Sequence, residues 1–325
     1  MSDAPQPQLT PQQDAWLRER SDWMGVWLVT HAWVTIAAAM TLFVLWPNPL
    51  TFVTAVVLIG GRQLGLAILM HDAAHRALFR SKRLNDTVGA FLCGWPVGAS
   101  LALYRPYHLS HHRHTQQKDD PDLVLSAPFP ITRQSFWRKM RRDILGITGY
   151  QRRMEIFRKE MGDDPSAWQR WKNLWRAERH FFLSNLLLFG ITAAAGVWWA
   201  YFVLWLLPLL TWYQVISRIR NIAEHAVVGD NDDRLRNTRT TLANWGMRMV
   251  LAPYWVNYHL EHHLFVFTPC WKLPAAHRLL LKQNLGPHME LAPGYLQVLR
   301  KATSRTTEGP GGGRDKPVRK SPALI

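Results

Sequence analysis

The sequence predicts an all-α integral membrane protein, with four transmembrane helices in two hairpins beneath a cytoplasmic helical cap. Three observations lead there. Long apolar stretches come in two pairs, each pair joined by a short turn. Nine of the 14 histidines fall into four short clusters that follow those pairs. Lys and Arg outnumber Asp and Glu 39 to 23, giving a net charge of +16 beside the apolar runs. No helix-turn-helix, zinc-finger or RNA-binding signature accompanies that charge, so anionic lipid headgroups explain it better than nucleic acid. The 17 tryptophans fit a chain that meets a lipid–water boundary. Only Cys93 and Cys270 are present, which gives no disulfide framework and fits a reducing, cytoplasm-facing site in an inner or plasma membrane.

In chain order, residues 1–20 are rich in Pro and Gln at their start and read as a flexible N-terminus. A membrane domain then covers 21–301. Its first span, 26–46, has the roughly 20 apolar residues a crossing needs, and Arg18 and Arg20 before it favour a cytoplasmic N-terminus. Pro47-Asn48-Pro49 turns the chain, and a second span returns over 50–70. Arg62 lies late in that span and is expected to snorkel to the headgroups, the alternative being a functional intramembrane charge. The apolar run 88–103 is broken by Gly94, Pro96 and Gly98 and reads as re-entrant or interfacial. Residues 132–180 intersperse Trp137, Trp168, Trp171 and Trp175 with Arg and Lys, as helices lying on a membrane do. The apolar stretch 181–216 would be about 54 Å long as one helix, against a hydrocarbon core of roughly 30 Å. Two crossings, 181–197 and 199–216, with a turn near Gly196–Trp199 fit it. Residues 302–325, with GPGGGRDKPVRK, read as a disordered basic tail.

The histidine clusters are HDAAH (His71, His75), HLSHH (His108, His111, His112), NIAEH (His225, with Asn221 one turn earlier) and HLEHH (His259, His262, His263). Offsets of three and four return side chains to one helix face, so each cluster aims its imidazoles together. A lone zinc takes about four ligands, so nine imidazoles point to two metal ions. Each hairpin delivers its clusters to the same side of the membrane, where the halves can meet. A nearly all-nitrogen set of this size favours redox chemistry with oxygen over zinc hydrolysis, which needs fewer ligands and a general base. Nearby acids are candidates to orient the imidazoles: Asp72, Glu224, Glu261 and the group Asp119, Asp120 and Asp122. His114, next to the second cluster, is a further outer candidate. Asn221 either reaches a metal through water or bonds locally. His31, His180, His277 and His288 lack the pattern.

Together these four boxes, over residues 60–280, resemble those of the membrane fatty acid desaturase superfamily. The resemblance implies four spans under a cytoplasmic cap and a non-haem di-iron centre that uses O2 to attack an unactivated C–H bond. It implies that His71, His75, His108, His111, His112, His225, His259, His262 and His263 ligate iron, with Asn221 a water-mediated neighbour. Three residues separate the histidines of the first box, whereas acyl-CoA desaturases resemble a form with four. The last box begins with His259 and not Gln, unlike desaturases acting near the carboxyl end of an acyl chain. No His-Pro dipeptide occurs, so electrons are expected from a separate donor, a ferredoxin or cytochrome docking on the basic face. The reading is thus a desaturase of a fatty acyl lipid, the acyl chain entering an apolar tunnel between the spans. Its rivals are a hydroxylase or ketolase of a carotenoid, alkane or sphingoid lipid, and a non-enzymatic membrane metal-binding protein.

Overall fold

The computed structural model describes residues 5–306. The chain is mostly helical. Helix α1 (Pro11–Arg18) occupies the segment expected to be flexible. The Thr10 hydroxyl accepts from the Gln13 N–H while the Gln13 side chain accepts from the Thr10 N–H, and Pro11 opens the first turn. This reciprocal cap offsets a composition that reads as loop. Gln8 and Gln283 exchange hydrogen bonds of 2.9 and 2.7 Å, and Leu17 is buried, so α1 is docked against the C-terminal part of the molecule.

Helices α2 (Asp22–Leu45) and α3 (Pro49–Ala74) form the first hairpin. Asn48 caps α3 by accepting from Leu50 N–H and Thr51 N–H, and Pro49 stands at its first position. From Ile59 to Ala74 every residue of α3 is buried, including Arg62. Arg62 does not snorkel to the headgroups. Its Nη2 donates to the Met249 carbonyl at 2.5 Å and the Arg248 carbonyl at 3.3 Å, and its guanidinium lies 5.3 Å from the Tyr254 ring. It therefore satisfies carbonyls at the end of a later helix, which composition alone does not show.

Helix α4 (Lys82–Val88) runs through a π-turn (Gly89–Gly94) into the single turn α5 (Trp95–Val97). Gly98, at φ 79°, then bends the chain by 94° into α6 (Leu101–His114). That broken geometry suits the interrupted run expected over 88–103. After α7 (Leu123–Ser126) come α8 (Arg133–Ile144), α9 (Ile147–Met161) and the long α10 (Ala167–Ala194). Trp137, Trp168, Trp171 and Trp175 are all exposed on them.

Gly196, at φ 75°, turns the chain where a turn is expected, and a π-turn (Tyr201–Leu206) leads into α11 (Leu207–Leu210) and α12 (Trp212–His225). Among the described residues three segments are long and apolar enough to cross a membrane, Asp22–Leu45, Pro49–Ala74 and Tyr201–His225, and the bent pair Lys82–Val97 with Leu101–His114 passes only when taken together. The stretch expected to cross over 181–197 differs. Helix α10 ends at Ala194, and its apolar part, 181–194, rises only about 21 Å. Its other half carries Arg170, Lys172, Arg176 and Arg179. The last span, expected to end at 216, continues to His225 and carries Asn221 with it.

The remainder is α13 (Trp245–Val250), α14 (His259–Leu264), α15 (Leu273–Lys282) and α16 (Tyr295–Ala302). Two short strands, β1 (Thr240–Thr241) and β2 (Leu291–Ala292), pair in parallel with Thr240 opposite Leu291. They tie the segment before α14 to the segment before α16. Of the expected basic tail, residues 307–325 lie outside the described residues, while Arg305 donates to the Pro128 carbonyl at 3.2 Å.

Candidate metal centre

The nine histidines come together as two adjacent groups. His71, His75, His108, His112 and His262 form one, and His111, His225, His259 and His263 the other. Within each group one nitrogen per ring lies within 4.8 Å of all the others. Helical geometry makes the partition. Neighbouring residues on a helix point about 100° apart, so α6 sends His108 and His112 to the first group and His111 to the second. Helix α14 likewise sends His262 to the first and His259 and His263 to the second. Helix α3 gives only to the first group and α12 only to the second. The groups touch where the His112 and His263 rings stand 4.1 Å apart.

The nitrogens suit metal ions. His108 and His112 approach Nε2 to Nε2 at 2.9 Å, His112 and His262 at 2.9 Å, His225 and His259 at 2.8 Å, and His259 and His263 at 3.1 Å. Two imidazole nitrogens bound at about 2.1 Å and at right angles round one ion stand about 3 Å apart. Both nitrogens of His71 and of His75 are buried without a hydrogen-bond partner among the described residues. So are Nδ1 of His108, His112, His225 and His259. Buried polar atoms are rarely left so, and a cation would engage one nitrogen each of His71 and His75. Burial and the neighbouring imidazoles hold His259, His262 and His263 well below the ordinary histidine range, which keeps them neutral, the form that binds metal.

The expected orienting acids divide. Asp120 accepts from His111 Nδ1 at 2.8 Å, and Asp122 Oδ2 lies 3.8 Å from the same nitrogen while accepting the Tyr107 hydroxyl at 2.6 Å. Glu224 lies 3.6 Å from His259 Nδ1 and is held by Arg220 at 2.7 Å. Asp72 stands 3.5 Å from His71 Nδ1, but its short bond, 2.9 Å, is to the Cys270 N–H. It anchors the chain after α14. Glu261 turns away from both groups: it accepts from His277 Nδ1 at 2.6 Å and from the Thr240 hydroxyl. His277, which lacks the sequence pattern, is thus a buried strut for α14. Asp119 is exposed, and His114 joins neither group. His288 is exposed.

Sequence reasoning missed the residues that fix the histidine-bearing helices. Arg105, one turn before His108, donates to the Ala73 and Ala74 carbonyls at 2.9 and 3.0 Å and pairs with Asp86. It holds the end of α3 between His71 and His75. Arg239 does the same for α12, donating to the carbonyls of Ala223, Ala226 and Val227 at 3.1, 2.9 and 2.8 Å while paired with Glu290. Thr115 Oγ1 meets His263 Nδ1 at 3.1 Å. Only the position of Thr115, three residues after the second box, hinted at a role.

A cavity opens onto both groups. His108 of the first and His111, His225 and His259 of the second line it, with Tyr104, Tyr107, Asp122, Arg220 and Asn221. Asn221 therefore faces the space beside the nitrogens, and no side-chain hydrogen bond ties it elsewhere among the described residues.

The family model for fatty acid desaturase matches residues 47–291. The dihydrorhizobitoxine desaturase of Bradyrhizobium elkanii is 26% identical over 89% of this chain and 82% of its own length. The beta-carotene ketolase of Paracoccus sp. (strain PC1) is 24% identical over 76% of this chain and 86% of its own. The sn-1 oleoyl-lipid 12-desaturase of Anabaena variabilis is 22% identical over 69% and 67%.

Proposed function

The chain belongs to the fatty acid desaturase family, a membrane-bound family of oxidoreductases, and on that premise we propose an O2-dependent, non-haem di-iron desaturase of a fatty acyl lipid. The observation that carries the proposal is the gathering of nine imidazoles, seven of them buried and two partly so, into two adjacent groups. His71, His75, His108, His112 and His262 would hold one iron, and His111, His225, His259 and His263 the other. Bound iron supplies the activation of oxygen that breaking an unactivated C–H bond requires.

The protein's own contribution is position and electrostatics. Asp120 fixes the tautomer of His111 by accepting its Nδ1 proton, and Thr115 engages His263 in the same way. The cavity bounded by Tyr104, Arg220 and Asn221 is where substrate would meet both groups, with Asn221 the water-mediated neighbour of the metal. Residues 21–301 act as one membrane domain with its histidines toward the cytoplasm, and the apolar half of α10 supplies the fourth crossing where the bilayer thins locally to its shorter length. Electrons come from a separate ferredoxin or cytochrome drawn to the basic face.

A second reading keeps the site and changes the product. The similarity to a beta-carotene ketolase over most of both chains favours it. After the first hydrogen is removed, loss of a second gives an alkene and oxygen transfer gives an alcohol, which a second round of O2-dependent oxidation at the same carbon would take to a ketone; small differences in substrate placement decide between alkene and alcohol. Lipid profiles of a host with and without the gene separate the two: more unsaturated acyl chains support desaturation, oxygenated products the other outcome. His262→Ala should abolish substrate-dependent oxygen consumption and lower iron content. His288→Ala, at an exposed position, should change neither. Turnover that survives loss of His262 would overturn the ligand assignment.

A further inference from the structure

The cavity beside the histidines is polar where a methylene chain would need it apolar. About 540 Å³ of empty space is bounded by Tyr104, Tyr107, Asp122, Arg220 and Asn221 besides its histidines, and among the described residues Leu125 is its one aliphatic side chain. Helical spacing builds that wall. Tyr104 stands one turn before His108 on α6, and Tyr107 one turn before His111. Asn221 stands one turn before His225 on α12. Offsets of four keep each pair on one face. A layer of hydrogen-bonding groups therefore lies about 5 Å from a layer of candidate ligands. The Tyr104 ring is stacked on that of His108, 4.9 Å away and 13° from parallel.

Part of this layer is already engaged. Tyr107 donates to Asp122 at 2.6 Å, and Arg220 gives Nε and Nη2 to Glu224, both at 2.7 Å. The Tyr104 hydroxyl and Arg220 Nη1 have no hydrogen bond among the described residues, although Tyr104 is only 7% exposed. Buried polar groups are rarely left without a partner. A hydrocarbon chain laid against these two would leave both unsatisfied, which is unfavourable. Glu224 already answers the Arg220 charge, so the partner called for is neutral: an oxygen that accepts hydrogen bonds.

Resting on the reading above, we propose that the substrate carries a neutral oxygen function, a hydroxyl or carbonyl, held by the Tyr104 hydroxyl and Arg220 Nη1. The bond attacked then lies within a few carbons of that oxygen, since one helical turn separates its partners from the histidines. The substrate class is accordingly a lipid oxidised next to its polar function, and not in the middle of a plain hydrocarbon chain. A site built to hydrogen-bond an oxygen also rejects the analogue that lacks it.

Binding of radiolabelled 1-hexadecanol to the full-length protein in neutral detergent, with no reductant present, tests the site without turnover. The parent should bind hexadecanol and discriminate against hexadecane. Tyr104→Phe should lower hexadecanol affinity about 3–10-fold, as loss of a neutral hydrogen bond does, and leave hexadecane binding unmoved. Arg220→Lys, which keeps the charge beside Glu224 but withdraws the third nitrogen, should act in the same direction. Tyr150→Phe, at an exposed position on α9, should bind as the parent does. Equal hexadecanol binding by the parent and the folded Tyr104→Phe and Arg220→Lys variants would mark the cavity as filled by water alone and overturn the proposal. Added reductant and O2 then locate the reaction. Oxidation of hexadecanol near its hydroxyl end supports the assignment, and oxidation confined to the middle of the chain overturns it. If no lipid is oxidised while Tyr104 still governs hexadecanol binding, the desaturase reading fails and the oxygen-binding pocket stands.

Discussion

At the residue scale, the decisive feature is how adjacent histidines part company. His111 and His112 differ by one position yet belong to different groups, as do His262 and His263. A change at one member of such a pair should therefore act on one metal first. The outer contacts are graded by distance. Asp120, at 2.8 Å from His111, should matter more than Asp72, whose distance to His71 is 3.5 Å. Asp120→Asn should weaken metal retention or activity by about 10–100-fold, the range seen when a ligand's orienting acid is lost. Titration with a chelator measures it, and unchanged retention would count against an orienting role. That the nine histidines gather was legible because offsets of three and four along a helix aim side chains together. The roles of Glu261 and His277 were not, since their bond joins α14 to α15 and nothing local in sequence announces it.

At the element scale, buried arginines do what caps do elsewhere. Helices α3 and α12 present histidines at their C-terminal ends, where four carbonyls lack helical partners. Arg105 and Arg239 fill those positions. Replacing Arg239 with Met removes the donors to three carbonyls and leaves Glu290 with Lys301 alone, at 3.4 Å, which should cost about 1–3 kcal/mol. Both a lower thermal midpoint and less iron held by the His225 group are expected. The α3–α4 contact is as tight: a Cβ at Gly89 would meet the Ala73 Cβ at 2.4 Å. Gly89→Val should destabilise by about 1–3 kcal/mol through overpacking, read by thermal unfolding, and a neutral result would mean that the π-turn can shift. Sequence located the first hairpin and the turn at Gly196 because apolar length and turn residues are local signals. It misplaced α1, where a capping box outweighs composition, and it overextended the crossing at 181–197. In α10 the charged and apolar halves form one continuous helix, so the apolar run alone does not mark where the element begins.

At the scale of the whole molecule, two halves close over one centre. The first hairpin and the bent α4–α6 segment bring five histidines, and α12 with α14 brings four. The parallel β1–β2 pair ties together segments of the C-terminal half, and Gln8, just before α1, bonds that half through Gln283. If those histidines hold metal as proposed, such closure would make metal and fold support each other. Metal stoichiometry on the purified, folded protein tests this most directly. Elemental analysis should find two irons per chain in the parent, and about one in both His75→Ala and His225→Ala, each variant having lost a different group. A single iron in the parent, or a count unmoved by either substitution, would contradict the two-group centre.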